Sequence, residues 1–175
     1  MKHNHKQEQS GYARQRGEIS ISGDNLISLL NSVLDKRADF RFEAKGFSMS
    51  PFIRDGDILT LSGTNSFSID AGYVVAFIHP YNKKLVIHRV IKKCKCGNHY
   101  IIKGDNAPGI DGAVSREDII GYVKKIERGK KNIYLGLGRG RRLIVYLSKM
   151  NFFVKLFFLG KCIPFSLKQR IKRFI

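Results

Sequence analysis

Leu85-Val86-Ile87-His88-Arg89-Val90-Ile91 is a short run of β-branched and aliphatic residues that contains one imidazole and one guanidinium. Turn-like Pro80–Lys84 precedes it and Lys95–Asn98 follows. A buried helix would need about ten or more residues, so the run reads as a strand. Neighbouring segments read the same way. Phe40 and Phe42 alternate with Arg41 and Glu43, the period-two pattern of a strand with one buried face. Asp57–Leu61, Tyr73–Ile78, Tyr100–Ile102 and Ile119–Ile126 are rich in Val, Ile, Leu, Phe and Tyr. Ser62–Ser66 and Gly104–Gly112 supply further turns. Short strands with no long helix between them predict a mainly β, antiparallel domain.

One helix is predicted ahead of these strands. From Ser22, Leu26, Ile27, Leu30, Val33 and Leu34 recur at spacings of three and four, with Asp24 as N-cap and Lys36 and Arg37 in the last turn. The first sixteen residues carry no apolar stretch and read as a mobile polar tail. His3 and His5 belong to that tail rather than to a metal site.

Of 175 residues, 32 are Lys or Arg and 14 are Asp or Glu, a net charge of +18. The excess is not spread evenly. Residues 17–123 are nearly neutral, whereas residues 124–175 hold one acidic side chain, Glu127, among many basic ones. A hydrophobic fraction of 43% excludes a wholly disordered chain, and three Cys exclude a disulfide scaffold. The chain reads as a flexible tail (1–21), a β domain (22–135) and a basic amphipathic segment (136–175). Within that last segment Arg141–Phe165 reads as a helix whose polar stripe is Ser148, Asn151 and Lys155. With Lys149 and Lys155 inside it, the helix is expected to lie on a membrane rather than span it. The expected partner of residues 139–175 is therefore an anionic membrane surface on the cytoplasmic side. A C-terminal anchor is the alternative placement, and nucleic acid the alternative partner.

The residues that carry chemistry occur in order. Gly46-Phe47-Ser48-Met49-Ser50-Pro51 leads to Asp55-Gly56-Asp57, then comes Gly72–Phe77, then His88-Arg89-Val90. Lys103-Gly104-Asp105-Asn106 and Ile119–Val123 complete the series, with Asp111 between them. A serine held in a Gly- and Pro-flanked loop, and an imidazole placed in an apolar strand, are the parts from which a nucleophile and its base are made.

From Phe40 to Ile126 this series resembles the signal peptidase I and LexA-like serine peptidase superfamily. The resemblance implies a coiled, partly closed, barrel-like antiparallel core with a helix before it and an amphipathic helix after it. Bacterial signal peptidases and LexA-like repressors have a Lys base where this chain has His88. The endoplasmic-reticulum and archaeal signal peptidases have His-Arg-Val there, as here. The resemblance thus implies Ser48 as nucleophile, His88 as general base and Asp111 as the group that orients the imidazole, with Asp105 as second candidate. Gly46, Ser48 and Met49 are expected around the oxyanion, and no cofactor is implied. The implied activity is a serine endopeptidase acting on an extended segment of a protein or peptide precursor. The strand carrying Val74, Val75 and Phe77 is expected to offer that segment an edge. Gly46 stands where many signal peptidases have a Ser, and the first sixteen residues hold no membrane anchor. A LexA-like self-cleaving regulator is the alternative function, but too few residues precede Phe40 for a three-helix DNA reader. A silent β module that binds membrane or nucleic acid through its basic tail is the non-enzymatic one. Cys94, Cys96 and His99 surround a hairpin tip without a fourth zinc ligand, so they read as exposed hairpin residues, and Cys162 as buried in the apolar segment.

Overall fold

A computed structural model of the chain describes residues 23–64 and 68–162. The tail with His3 and His5 lies outside them, as does the side chain of Cys162. Helix α1 (Gly23–Asp35) is followed by strands β1 (Phe40–Glu43), β2 (Ile58–Gly63), β3 (Val74–Ile78), β4 (Leu85–Lys93), β5 (His99–Lys103), β6 (Gly112–Ser115), β7 (Ile119–Arg128) and β8 (Lys131–Ile133). Helices α2 (Arg141–Lys149) and α3 (Phe152–Cys162) follow. All strand pairs are antiparallel, in the order β1-β2-β7-β3-β4-β5-β6, with β8 beside β7. The sheet is not closed into a barrel, because its end strands β1 and β6 do not pair with each other.

Strand β3 explains why Tyr73–Ile78 shows no polar alternation. Val74 and Ala76 enter one core with Leu59, Leu61 and Leu30 of α1. Val75 and Phe77 enter a second core with Val90, Ile102 and Ile119. A strand covered on both faces reads as a continuous apolar run. Because β3 pairs with both β4 and β7, it offers no free edge, and the expected substrate edge there is corrected.

Other expectations are corrected at the helices. Asp24 lies inside α1 rather than capping it, and α1 ends at Asp35, so Lys36 and Arg37 fall beyond its last turn. Arg37 takes a left-handed conformation (φ 59°) that closes the helix, its amide donating to the Leu34 carbonyl at 3.0 Å. The C-terminal segment is two helices, not one, because Asn151 (φ 55°) breaks the run. Ser148 is fully buried, so Ser148, Asn151 and Lys155 form no common polar stripe. Strands β6 and β8 had no apolar run long enough to announce them.

Asp57 fastens β2 to β7. Its carboxylate accepts from Nε and Nη2 of Arg128 at 2.8 Å each and from the Arg54 amide at 2.8 Å. Burial raises the Asp57 carboxyl, yet Arg128 and the Arg54 amide outweigh it, and the net shift is below the ordinary value. Stability from this group is therefore complete above about pH 4, its unfolded range, and is lost as pH falls through the depressed folded value. Asp57→Asn should cost about 1.5–3 kcal/mol at neutral pH, the range for hydrogen bonds to charged groups. Urea melts of both proteins should converge as the pH is lowered below about 4.

Candidate active site

Ser48 sits in the turn between β1 and β2, exposed, with Met49 behind it in the core. His88 sits on β4 opposite Val75 and is 8% exposed. Its Nε2 is 2.8 Å from Ser48 Oγ, across 40 residues of chain. Its Nδ1 is 2.7 Å from Asp111 Oδ2. Asp111 precedes β6 and is fixed by its own amide, which donates to the Ile102 carbonyl at 2.9 Å. One line of hydrogen bonds thus runs from an exposed hydroxyl through a buried imidazole to a carboxylate. With Nδ1–H donated to Asp111, Nε2 is left as the acceptor for the serine proton.

Asp105, the other carboxylate of the same loop, does not reach His88. It is fully buried and takes a forked ion pair from Arg89, with Nε at 2.9 Å from Oδ1 and Nη2 at 2.7 Å from Oδ2. Arg89 further donates Nη1 to the Gly72 and Gly136 carbonyls at 2.9 and 2.7 Å, and its guanidinium lies 5.4 Å from the Phe52 ring centroid. Neighbours on β4 therefore split the work. His88 faces Ser48, while Arg89 ties β4 to the loop holding Asp105 and to the chain beyond β8.

Asn106 braces the serine turn from the other side. Its amide donates to the Ser48 carbonyl at 2.7 Å and its Nδ2 to the Phe47 carbonyl at 3.2 Å. Met49 Sδ accepts from the Asp105 amide at 3.5 Å, so the Met49 side chain anchors the turn. The Gly46 amide is taken by Asp55 Oδ1 at 2.8 Å, and Gly46 adopts φ 95°. The Ser48 amide meets no acceptor among the described residues.

A cleft of about 770 Å³ opens at Ser48 and His88. Leu26, Phe42, Ile53, Leu59, Leu85 and Ile87 make its walls apolar. Two backbone edges face free space along it. Strand β1 pairs only with β2, and Leu85–His88 pair only with β3, because β5 joins β4 from Arg89 onward.

With that geometry in place, comparison with protein families is informative. The model described as Peptidase S24-like matches residues 11–124, more than half of the chain. The chain belongs to the S24-like peptidase family. The match spans Ser48, His88 and Asp111, starts within the stretch expected as a tail and stops before α2. Searches of curated proteins and of solved structures returned no match.

His79 escaped the sequence reading of this S24-like site, and Lys103, quoted there within Lys103-Gly104-Asp105-Asn106, was given no role of its own. His79 Nε2 is 3.9 Å from Asp111 Oδ1, on the side away from His88. Lys103 is 4% exposed and donates to the Ala107 carbonyl at 2.6 Å. Burial pushes the Lys103 ammonium down, against the raising pull of Asp105 and Asp111. A histidine just past a strand end gives no periodic signal. At the β4–β5 hairpin Cys94 is half-buried and Cys96 exposed, and no metal-binding cluster occurs among the described residues.

Gly104 has a steric reason. A Cβ there would stand 2.8 Å from His88 Nε2 and 2.8 Å from the Ser48 carbonyl oxygen. The second atom is backbone and cannot swing aside. Gly104→Ala should therefore push the serine turn and the imidazole apart, and misplacement of about 1 Å is worth roughly 100-fold in rate. A peptidase assay alongside a thermal melt checks this, since the fold should survive.

Proposed function

We propose that this chain is a serine endopeptidase resembling the Ser-His signal peptidases, cutting an extended segment of another protein. The observation that carries the reading is the Ser48–His88–Asp111 line, at 2.8 and 2.7 Å, opening onto an apolar cleft. Membership of the S24-like family supports a peptidase or self-cleaving activity. An extended peptide would lie between the free edges of β1 and of Leu85–His88, adding main-chain hydrogen bonds to both. Ser48 Oγ attacks the scissile carbonyl carbon while its proton passes to His88 Nε2. The developing oxyanion is met by the Ser48 amide. His88 then gives the proton to the leaving amine, and water, deprotonated by the same imidazole, releases the acyl group from Ser48. Asp111, bonded to His88 Nδ1, holds the tautomer.

Co-expression of wild type or Ser48→Ala with candidate precursors from the same genome tests this. Precursor cleaved only by the wild type is expected; identical fragment patterns overturn the proposal. Self-cleavage is a second reading, favoured by one observation. Leu26 of α1 lines the cleft, so the first turn of α1 forms part of a wall of the site. Under that reading purified full-length protein shortens on prolonged incubation at alkaline pH; a stable band argues against it.

A further inference from the structure

Helices α2 and α3 each bury one stripe and leave another bare. In α2, Ile144, Val145 and Ser148 are buried, whereas Leu143 and Tyr146 are 63% and 59% exposed, as is Met150 after it at 55%. These three recur at i, i+3 and i+7, the spacing of one helical face. In α3, Phe153 and Val154 are buried, whereas Phe152, Leu156 and Leu159 are 46%, 51% and 64% exposed at i, i+4 and i+7. The buried stripe packs on Phe52, four residues past Ser48, through Ile144 and Phe153. The Phe152 ring meets the Phe153 ring edge-on at 5.5 Å, and the rest of the bare stripe stands exposed. Contiguous exposed apolar side chains of this number mark an interaction surface.

The charge around the stripe says what covers it. Arg139, Arg142, Lys149 and Lys155 are exposed beside it, and the sequence from Arg128 to Ile175 holds no Asp or Glu. A second copy of this chain would bring like charges together, which opposes pairing. Nucleic acid would meet the cations and stack on Tyr146 and Phe152, but it would leave the aliphatic Leu143, Leu156 and Leu159 without an apolar partner. Lipid answers both features, with acyl chains for the stripe and anionic headgroups for its rim. No helix among the described residues is long and apolar enough to cross a membrane, and Asn151 separates the two short ones.

We infer that the exposed face of α2 and α3 is a docking surface for an anionic lipid bilayer, on which the helices lie flat. Through Phe52 this surface is joined to the turn that carries Ser48. The binding requires no peptidase activity, so its failure leaves the peptidase reading standing.

Full-length protein is sedimented with vesicles of phosphatidylcholine alone or of equimolar phosphatidylcholine and phosphatidylglycerol. Pelleting with the anionic vesicles only is expected. Each cation near an anionic leaflet multiplies partitioning about fivefold, so Arg142→Gln/Lys149→Gln/Lys155→Gln should lower it about 100-fold. Leu143→Ser/Leu156→Ser/Leu159→Ser should lower it by more than about tenfold. Because the chain has no Trp, Leu156→Trp places a single indole on the stripe, and its emission should move to the blue when anionic vesicles are added. Protein left in the supernatant, equal binding to neutral vesicles, variants that bind like wild type, or an unmoved emission each overturn the inference. So does single-stranded RNA binding or a stripe-dependent dimer in the absence of vesicle binding.

Discussion

Ser48→Ala should abolish precursor cleavage, and Asp111→Asn should cut turnover by about 10⁴ while leaving the fold intact. The first removes the hydroxyl placed to attack, Ser48 Oγ at 2.8 Å from the base. The second keeps the shape of the site but replaces an acceptor-only carboxylate with an amide that can present a donor to Nδ1. The imidazole then flips tautomer, puts its proton on Nε2 and can no longer accept one from Ser48, which is the source of the 10⁴ loss seen for this exchange in serine proteases. Single-turnover cleavage of a precursor by each purified variant, with circular dichroism to confirm folding, reads both effects. His88→Ala should match Ser48→Ala, because residues that act as a unit are not additive when removed. A variant set in which Asp111→Asn is as active as wild type would remove Asp111 from the site.

The largest stability effect is expected at the neighbouring residue. Arg89 and Asp105 are both fully buried, and each is the other's charge partner. Arg89→Met leaves an unpaired carboxylate in the core between β4 and the loop after β5. Breaking a buried pair from one side costs about 3–5 kcal/mol, a large part of the roughly 5–15 kcal/mol that holds a domain together. Asp105→Asn acts in the same direction by leaving the guanidinium uncompensated, so it should lower the urea midpoint and reduce activity only in proportion to unfolding. Arg89→Met/Asp105→Leu should recover much of the loss, because it removes both charges together. An Asp105→Asn protein that is fully folded but inactive would instead assign Asp105 to the chemistry.

This contrast between adjacent residues shows where the sequence is legible. The strands were readable because β-branched runs and period-two alternation are local consequences of pleated geometry, as in Phe40–Glu43 and Leu85–Ile91. Gly46-Phe47-Ser48, His88-Arg89-Val90 and Lys103-Gly104-Asp105-Asn106 were readable as chemistry because loop serines and strand histidines are unusual on their own terms, and their order pointed to a peptidase superfamily. The excess of cations after Val123 needed only counting. Pairing was not readable. Nothing local to Val74–Ile78 says that both its edges are occupied, nor that the edges left open belong to β1 and to the first half of β4. Nothing local to Lys103–Asp111 says which carboxylate turns to His88 and which to Arg89. That choice depends on the alternation of β4, which sends consecutive side chains to opposite faces of the sheet, and on β5 and β6, which bring the intervening loop across it. Sequence by itself determined the strand content, the residue types of the site and the basic tail. Tertiary structure decided their partners, because hydrogen bonds and ion pairs across 16 to 40 residues are set by register between strands, and register is a property of the whole sheet.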